Sequence, residues 1–314
     1  MKIGIVGAGA MGSLYGGKLA QAGAEVLLFD ISRAHVEAVN ASGLTIEGMD
    51  GKTAVVRLKA TVVPADLADA DVLLIFVKSS ATAAAARQFA GLAKAGAIAV
   101  TLQNGLGNEQ ILRDAFGAER TAAGVTSQGA TFVGPGRVRH AGAGPTHLCM
   151  SDRANQKLAP LAEALNRAGF ETHLEKSIDS LVWSKLVINV GINALTALTG
   201  LPNGRLLDFP QTRALMADLV AEAVRVAQAR GIPLSYTEPL TMVYTVAEKT
   251  GRNRSSMLQD FDRRRPTEID FINGAILREA ESLGLEAPVN RTVTRLIQAL
   301  DALHAAEGKP PAQA

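Results

Sequence analysis

Short aliphatic runs alternate with Ala-rich amphipathic stretches along the first half of the chain. This alternation is typical of strands that crossover helices bury on both faces, because such strands read as continuous apolar runs. It predicts an α/β fold with a doubly wound parallel sheet, in which helices fill most of the gaps between strands. The expected strands cover residues 2–6, 25–29, 61–63, 71–77 and 97–103.

Two further segments of the first half carry the marks of short strands and tight turns. Residues 42–60, SGLTIEGMDGKTAVVRLKA, alternate around GMDGK and predict a small hairpin insertion. Residues 124–150 are Gly-rich and contain the turn VGPGR, which predicts more short strands. We expect the strands of this second segment to complete the sheet.

The pattern becomes helical from about residue 178, after the strand-like ETHLE at 171–175. It predicts two domains, an α/β domain over residues 1–175 and an all-helical domain over residues 176–314, with a frayed tail GKPPAQA. Gly and Pro residues mark the expected helix ends at Gly231 with Pro233, at Gly251, and at Gly284 with Pro288.

Composition agrees with two domains, because 314 residues with 47% hydrophobic content can form one large core or two medium ones. The formal net charge is +2, and RRR at 263–265 suits a solvated helix face, so we expect no nucleic-acid partner. The single Cys149 allows no internal disulfide, which suits a reducing compartment. The N-terminus lacks the pattern of a signal peptide, and the apolar runs are shorter than the ~20 residues of a membrane span. We therefore expect a cytoplasmic location and no membrane segment.

The motif GAGAMG at residues 7–12 follows the first expected strand and opens a helix. In such a motif Gly7 makes the tight turn, Gly9 lets a pyrophosphate reach the backbone, and Gly12 allows close packing of helix on strand. The helix N-terminus favours negative charge. The next strand ends in Asp30, about where a ribose-binding carboxylate is expected. The sequence therefore predicts a dinucleotide site, with a structural glycine turn as the alternative.

Two polar residues follow later strands at the edge where a doubly wound sheet binds ligands. Lys78 comes after DVLLIFV, and Asn104 comes after AIAVTLQ. Either residue could be an ordinary loop residue. For Asn104, in QNGLGN, a plain Asn-Gly turn is as good an interpretation as a binding site.

The stretch SKLVINVGINALTA at residues 184–197 has the aliphatic density of a buried helix, yet Lys185, Asn189 and Asn193 recur at every fourth position. Residues with this spacing form one stripe along a helix. Burying an amide or ammonium without partners costs about 2 kcal/mol or more, so the stripe should face polar protein groups or a ligand. The functional interpretation is that Lys185 donates a proton to a substrate oxygen while the two amides orient the substrate. The alternative is a snorkelling lysine and two asparagines bonded to loops.

Other chemistries lack their parts in this sequence. The histidines show no metal-ligand spacing with Cys or carboxylates, so no metal is proposed, and neither GxSxG nor GxxxxGK[ST] occurs. Hydride transfer is therefore the favoured class. Residues 254–280 add hydroxyls and carboxylates, among them Ser255, Ser256 and Glu268. The pattern leaves open whether Glu268 favours a helix N-terminus or lies near Lys185.

With these residues identified, the chain resembles the ketopantoate reductases over nearly its whole length. The resemblance is carried, in order, by GAGAMG, FVKS, QNGLGN, WSKLVINVGINALTAL, LPNG, SSMLQD and TEIDFINGAIL. It implies an N-terminal Rossmann-type domain, a helical C-terminal domain and catalysis in a cleft between them. The implied activity is the NAD(P)H-dependent reduction of 2-dehydropantoate to pantoate in pantothenate and coenzyme A synthesis.

The same resemblance implies roles for individual residues. Lys185 looks like the general acid, and Glu268 matches a family residue at the lysine and cofactor-ribose end of the site. Asn203 could instead belong to a Pro-Asn-Gly turn, and Ala130 could act only through its main chain. The implied substrate-binding residues are Asn104, Asn189, Asn193, Asn203 and Ser256. The implied cofactor-binding residues are Gly7, Ala8, Gly9, Ala10, Met11, Gly12, Lys78, Asn104, Ala130 and Glu268. The sequence after the second strand adds Asp30 and Arg33 as candidates for binding the cofactor.

The second strand departs from the family pattern. Ketopantoate reductases commonly prefer NADPH and carry an Arg just beyond this strand, whereas here FDISR places Asp30 first and Arg33 three positions later. A carboxylate at this position favours the free ribose hydroxyls of NAD and repels a 2′-phosphate. The resemblance therefore implies NADP(H), but Asp30 leaves NAD(H) open.

Other functions remain open at this point. The β-hydroxyacid dehydrogenases also combine a Rossmann domain with a helical domain and a Lys-x-x-x-Asn helix, and SKLVIN fits both groups. Another 2-oxo acid reductase is a further option, and a non-catalytic dinucleotide-sensing protein is a distant one. The sequence leaves the oligomeric state open, with a homodimer as one option.

Overall fold

The computed structural model describes residues 1–307, so the expected frayed tail at 308–314 lies outside the described residues. The chain forms two compact units. The first comprises residues 1–103 and 108–178, and the second comprises residues 104–107 and the chain from residue 179 onward. The sequence pattern predicts a boundary at 175/176 and does not distinguish residues 104–107 from their neighbours.

The first unit contains all the described strands. They are β1 (Lys2–Val6), β2 (Glu25–Phe29), β3 (Leu44–Glu47), β4 (Thr53–Val56), β5 (Lys59–Thr61), β6 (Val72–Ile75), β7 (Ile98–Thr101), β8 (Thr121–Thr126), β9 (Gly129–Gly134), β10 (Arg137–Gly142), β11 (Thr146–Met150) and β12 (Thr172–Leu174). Its helices are α1 (Ala10–Gln21), α2 (Arg33–Ser42), α3 (Thr82–Leu92), α4 (Asn108–Phe116) and α5 (Ala159–Arg167).

The second unit is helical. Its helices are α6 (Asp179–Thr199), α7 (Pro210–Ala229), α8 (Pro239–Lys249), α9 (Ser256–Asp262), α10 (Asn273–Ser282) and α11 (Pro288–Glu307). Short 3₁₀ helices occur in both units at Pro64–Leu67, Ser79–Ala81, Ala118–Arg120, Asn155–Leu158, Asn203–Asp208 and Ile269–Phe271.

The main sheet has the strand order β12-β11-β8-β7-β6-β1-β2-β5. Its pairs are parallel apart from β8 with β11. This confirms the predicted α/β class. The third expected strand lies at Lys59–Thr61 rather than at 61–63, because Pro64 opens a 3₁₀ turn immediately after Val63.

The prediction that residues 124–150 complete the sheet is wrong for β9 and β10. These two strands form the expected hairpin, but they join β3 and β4 in a separate sheet of order β4-β3-β10-β9. Burial alternates along β3 and β10, with Leu44, Ile46 and Val138 inside and their neighbours more exposed. Residues that alternate in this way cover one face, so the four strands pack as a layer of their own.

Helix α1 lies between the two sheets, and adjacent glycines let it approach both. A Cβ atom on Gly16 would lie 2.4 Å from Cδ2 of Leu28 in the main sheet, and one on Gly17 would lie 2.7 Å from Cδ1 of Ile46 in the second sheet. Larger residues would push the helix away from its neighbours. This packing fixes the N-terminus of α1, where the glycine motif lies.

Helix α6 forms the centre of the second unit. Among the described residues it is the one helix long and apolar enough to cross a membrane, but 67% of its most apolar window is buried inside the protein. Trp183, Val187, Val190 and Leu195 belong to the core of this unit. The neighbouring helices therefore account for its apolar character.

Candidate active site

The glycine motif has the local geometry of a dinucleotide-binding turn. Gly7 adopts φ +93°, which favours glycine, and a Cβ there would lie 2.8 Å from the backbone nitrogen of Val77. A Cβ on Gly12 would lie 2.0 Å from the carbonyl oxygen of Gly7. The turn is held to β2 because the N–H groups of Gly7 and Ala8 donate to the carbonyl oxygen of Phe29, at 2.9 and 3.1 Å.

The space beside Gly9 is open. A Cβ on Gly9 would meet no atom within 4 Å, so this glycine is not required by packing within the protein. It stands at the N-terminus of α1, where N–H groups favour an anion. Gly7 and Gly12 therefore shape the turn, while Gly9 keeps its outer side open for a ligand. When bound, a nicotinamide dinucleotide would supply the hydride for a reduction.

Asp30 and Arg33 flank the turn between β2 and α2. Asp30 is partly buried, and its Oδ1 atom accepts a hydrogen bond of 2.8 Å from the N–H of Ser32. Arg33 is exposed at the first position of α2. Burial lowers the pKa of nearby His35, and the negative charge of Asp30 opposes that shift. Asp30 is therefore both a turn residue and a fixed negative charge at the carboxyl end of β2.

Gln103 joins the ends of two neighbouring strands, a role that the sequence analysis missed. Its Nε2 atom donates to the carbonyl oxygen of Val77 at 2.6 Å and to Oγ1 of Thr82 at 2.8 Å. Lys78 follows Val77, is exposed, and precedes the 3₁₀ turn Ser79–Ala81. The segment that carries Lys78 is thus tied to the end of β7. The link is a long-range contact that the sequence does not reveal, since Gln103 and Val77 lie 26 positions apart.

Asn104 lies in an Asn-Gly turn that belongs to the helical unit. Gly105 adopts φ +84°, and a Cβ there would lie 2.1 Å from the carbonyl oxygen of Phe271. The same oxygen accepts a hydrogen bond of 2.9 Å from the N–H of Leu106. The chain therefore bends at Gly105 and packs this segment beside the segment that contains Glu268.

Lys185 and Glu268 are two charged residues of the second unit that interact electrostatically. Lys185 is partly buried in α6, and Glu268 is only 9% exposed. Burial lowers the pKa of Lys185 to about 8, while the negative charge of Glu268 opposes that shift. Glu268 precedes the 3₁₀ turn Ile269–Phe271, but its side chain makes no capping hydrogen bond there. The sequence left two roles open for Glu268, and the structure favours proximity to Lys185.

Neighbouring residues fix the positions of both groups. The N–H of Ser235 donates to Oγ of Ser184, and the hydroxyl of Tyr236 donates to the carbonyl oxygen of Ser184, each at 2.7 Å. These bonds hold the turn of α6 that carries Lys185. The N–H and hydroxyl of Thr267 donate to Oδ2 of Asp301 at 3.1 and 2.7 Å, which fixes the residue before Glu268. The sequence did not indicate these supporting roles of Ser184, Ser235, Tyr236, Thr267 and Asp301.

The other residues of the α6 stripe differ in exposure. Asn189 is partly buried, like Lys185, whereas Asn193 is only 6% exposed. Ser256 is exposed at the first position of α9, in the same unit. These side chains supply amide and hydroxyl groups that can both donate and accept. Their roles in binding stay predictions.

Asn203 and Ala130 lie in environments that suit a structural role better than those of the other candidate residues. Asn203 is 8% exposed, its Nδ2 atom donates to Oγ1 of Thr250 at 2.8 Å, and its N–H donates to the carbonyl oxygen of Asn253 at 3.0 Å. These bonds favour the turn interpretation of Asn203. Ala130 lies partly buried in β9, opposite His140, so its main chain is the group available to a ligand.

The glycine turn at the start of α1 is typical of a nucleotide-binding protein of Rossmann type, and the comparisons with known proteins agree. Residues 3–152 match the family described as ketopantoate reductase PanE/ApbA, and residues 177–301 match its C-terminal domain. The chain belongs to the ketopantoate reductase family. The resemblance inferred from the sequence is therefore confirmed.

Curated relatives match over almost their full length. The 2-dehydropantoate 2-reductase of Halobacterium salinarum is 38% identical over 299 residues, which cover 95% of this chain and 98% of the relative. That of Pyrococcus abyssi is 36% identical over 311 residues, covering 98% of this chain and 100% of the relative.

Two solved structures are similar to this fold. A PanE/ApbA family ketopantoate reductase from Ralstonia eutropha has a TM-score of 0.89 and 35% identity, with 97% of this chain and 100% of that chain covered. D-Mandelate dehydrogenase, solved with NADH and anilino(oxo)acetate, has a TM-score of 0.89 and 29% identity at the same coverage. That neighbour was thus solved with a nicotinamide dinucleotide and anilino(oxo)acetate bound together.

Proposed function

We propose that the chain catalyses the NAD(P)H-dependent reduction of 2-dehydropantoate to pantoate. The observation that carries this proposal is that Lys185, on the central helix of the second unit, is desolvated within the electrostatic influence of the nearly buried Glu268. Family membership and the named activity of the curated relatives support the same reaction. The reaction would serve pantothenate and coenzyme A synthesis.

In the proposed reaction the substrate C2 carbon accepts a hydride, and the C2 oxygen takes a proton from Nζ of Lys185. A lysine with a pKa of about 8 is mostly protonated at neutral pH and is a stronger acid than an ordinary lysine. It can therefore donate a proton to the developing alkoxide, and most of the enzyme carries that proton at neutral pH. Glu268 keeps the ammonium form populated, because its negative charge opposes the effect of burial.

The substrate would be held by amide and hydroxyl groups from several segments of the chain. Asn189 and Asn193 follow Lys185 along one stripe of α6, and Ser256 begins α9. We assign these groups, with Asn104, to the carboxylate and hydroxyl of the 2-oxo acid, since such groups match both donors and acceptors. For Asn203 we assign a supporting role, because its amide N–H group is already bonded to Thr250.

A second candidate function is the reduction of an aromatic 2-oxo acid with NADH. The similarity to D-mandelate dehydrogenase solved with NADH favours it, as does Asp30 at the end of β2. An acidic residue there would accept hydrogen bonds from the ribose hydroxyls of NADH and repel the 2′-phosphate of NADPH. Arg33 acts in the opposite direction if it pairs with that phosphate.

The deciding experiment compares ketopantoate with benzoylformate, the 2-oxo acid of mandelate, each with NADPH and with NADH. We expect the highest kcat/KM with ketopantoate. A preference for benzoylformate would replace the first candidate by the second, and turnover of neither would contradict both. We further propose a cytoplasmic location, a homodimer and no nucleic-acid partner, which fractionation, light scattering and filter binding would test.

A further inference from the structure

A chain of hydroxyl groups joins helix α6 to the start of helix α9. The hydroxyl of Thr196 donates to the carbonyl oxygen of Asn193 at 2.7 Å, and it lies 2.7 Å from the hydroxyl oxygen of Ser255. Ser255 is the residue that caps α9, and its Oγ atom accepts a hydrogen bond of 3.0 Å from the N–H of Leu258. The chain therefore runs from the first turn of α9 to the backbone of Asn193.

The direction of every bond in this chain is fixed by the number of protons available. The carbonyl oxygen of Asn193 can only accept, so the single hydroxyl proton of Thr196 is used there. The short bond to Ser255 must then use the hydroxyl proton of Ser255, while its oxygen accepts from Leu258. Thr196 is 0% exposed and Ser255 is 7% exposed, so water competes little with these bonds. Buried hydroxyls without partners are costly, which makes the arrangement specific.

We propose that Thr196 and Ser255 are positioning residues that set the spacing between Asn193 and Ser256 for the 2-oxo acid. This inference rests on the proposed function, which assigns Asn193 and Ser256 to the substrate. Ser256 directly follows Ser255, and the bonded carbonyl belongs to Asn193 itself. A shift of α9 relative to α6 would therefore move the two side chains apart.

The capping of α9 alone does not explain this chain of hydroxyl groups. An N-cap serine needs only to accept the N–H of the helix, as Ser255 does from Leu258. Thr196 adds a second contact, from a helix other than the one that is capped. Thr199 shows the contrasting case, because its hydroxyl donates to the carbonyl oxygen of Leu195 within α6 itself. Thr199, the exposed last residue of α6, therefore serves as a control threonine on the same helix.

The test replaces Thr196 by Val, which keeps the shape of the side chain but removes its hydroxyl. We expect the KM for ketopantoate to rise about 3- to 10-fold, with kcat within about twofold of wild type, since the variant loses both neutral hydrogen bonds of the hydroxyl, the one to Asn193 and the one from Ser255. Calorimetric binding of ketopantoate to the NADP⁺ complex should weaken by the same factor. The affinity for NADPH should not change. Thr196→Ser should restore both values, and Thr199→Val should leave them at wild type.

Several outcomes would overturn the inference. A wild-type KM in Thr196→Val would do so, as would equal losses in ketopantoate and NADPH binding, which would indicate general misfolding. Thr196→Ala supplies the same comparison if the Val variant does not fold.

Asn193→Ala and Ser256→Ala distinguish failure of the proposed substrate site from failure of the positioning role. If neither weakens ketopantoate binding, the proposed substrate site fails; if both do while Thr196→Val does not, only the positioning role fails.

Discussion

The glycine turn of the first unit and the Lys185 helix of the second differ in which part of the residue matters, the backbone in the turn and the side chain in the helix. At the glycine turn the important feature is the absence of a side chain at Gly9, where an added Cβ would meet no protein atom within 4 Å. On helix α6 the important feature is a charged side chain that burial has shifted to a pKa of about 8. In the proposed function, the first region binds the cofactor through its backbone, and the second supplies an acid whose pKa is lowered by burial.

This difference determines how each region responds to change. A backbone site is sensitive to any added atom, even a methyl group, because the turn and the ligand both need the space. A side-chain site depends on its charged neighbours, since the same lysine would titrate normally in water. Substitutions should therefore affect cofactor binding in the first region and chemistry in the second.

The largest expected effect is at Lys185. Lys185→Ala removes the proposed proton donor, so kcat should fall by about 10²- to 10⁴-fold. The affinity for NADPH, measured by fluorescence titration, should change little because Lys185 is assigned to the substrate. Near-wild-type turnover in a folded Lys185→Ala protein would remove the general-acid assignment.

The glycine turn provides the next test, in which substitution of Gly9 should affect NADPH affinity and substitution of Gly12 should affect stability. Gly9→Ala adds a methyl group where no protein atom lies within 4 Å, so the melting temperature of the free protein should stay unchanged. NADPH affinity should fall by about 10- to 100-fold, because the methyl group occupies space needed by the pyrophosphate. In Gly12→Ala the Cβ would lie 2.0 Å from the carbonyl oxygen of Gly7, so the free protein itself should be destabilised by about 1–3 kcal/mol.

Gly91→Ala is the control for these two variants, because a Cβ at this position in α3 also meets no atom within 4 Å. It should retain both stability and NADPH affinity. Thermal unfolding and fluorescence titration check all three proteins. A Gly9→Ala protein with normal NADPH affinity would show that the cofactor does not approach this glycine.

A smaller effect is expected at Asp30, where Asp30→Asn removes the negative charge but keeps an oxygen for the N–H of Ser32. The NADPH-to-NADH ratio of kcat/KM should rise about fivefold or more, because a 2′-phosphate no longer meets a carboxylate. Arg33→Ala should lower the same ratio if the arginine pairs with the phosphate. Steady-state kinetics at low salt would measure both, and an unchanged ratio in Asp30→Asn would show that this carboxylate does not face the ribose.

Local sequence patterns predicted a large part of the fold. The strands Lys2–Val6 and Glu25–Phe29 and the glycine turn between them follow from aliphatic runs and glycine spacing within one short segment. The stripe of Lys185, Asn189 and Asn193 follows from helical periodicity. In each case the residues that specify the structure are neighbours in the sequence.

The remainder depends on contacts between residues far apart in the chain. Strand β3 pairs with β10 in parallel, with Ile46 opposite Val138, and no local pattern specifies that partner. Likewise, Asp301 holds Thr267 from 34 positions away, which places Glu268. Asn104 shows both aspects, because the Asn-Gly turn was visible in the sequence while its contact with Phe271 was not.

The central claim is that Glu268 keeps Lys185 protonated for proton donation, and a pH profile tests it most directly. For ketopantoate reduction the charged lysine is the active form, so kcat/KM should be constant below the pKa of Lys185 and fall as pH rises through about 8. Glu268→Gln removes the charge that raises this pKa, so the decline should begin at lower pH. Glu281→Gln, at an exposed position on α10, should keep the wild-type profile. The account predicts an alkaline limb shifted to lower pH in Glu268→Gln alone; a limb that stays in place or moves to higher pH would contradict it.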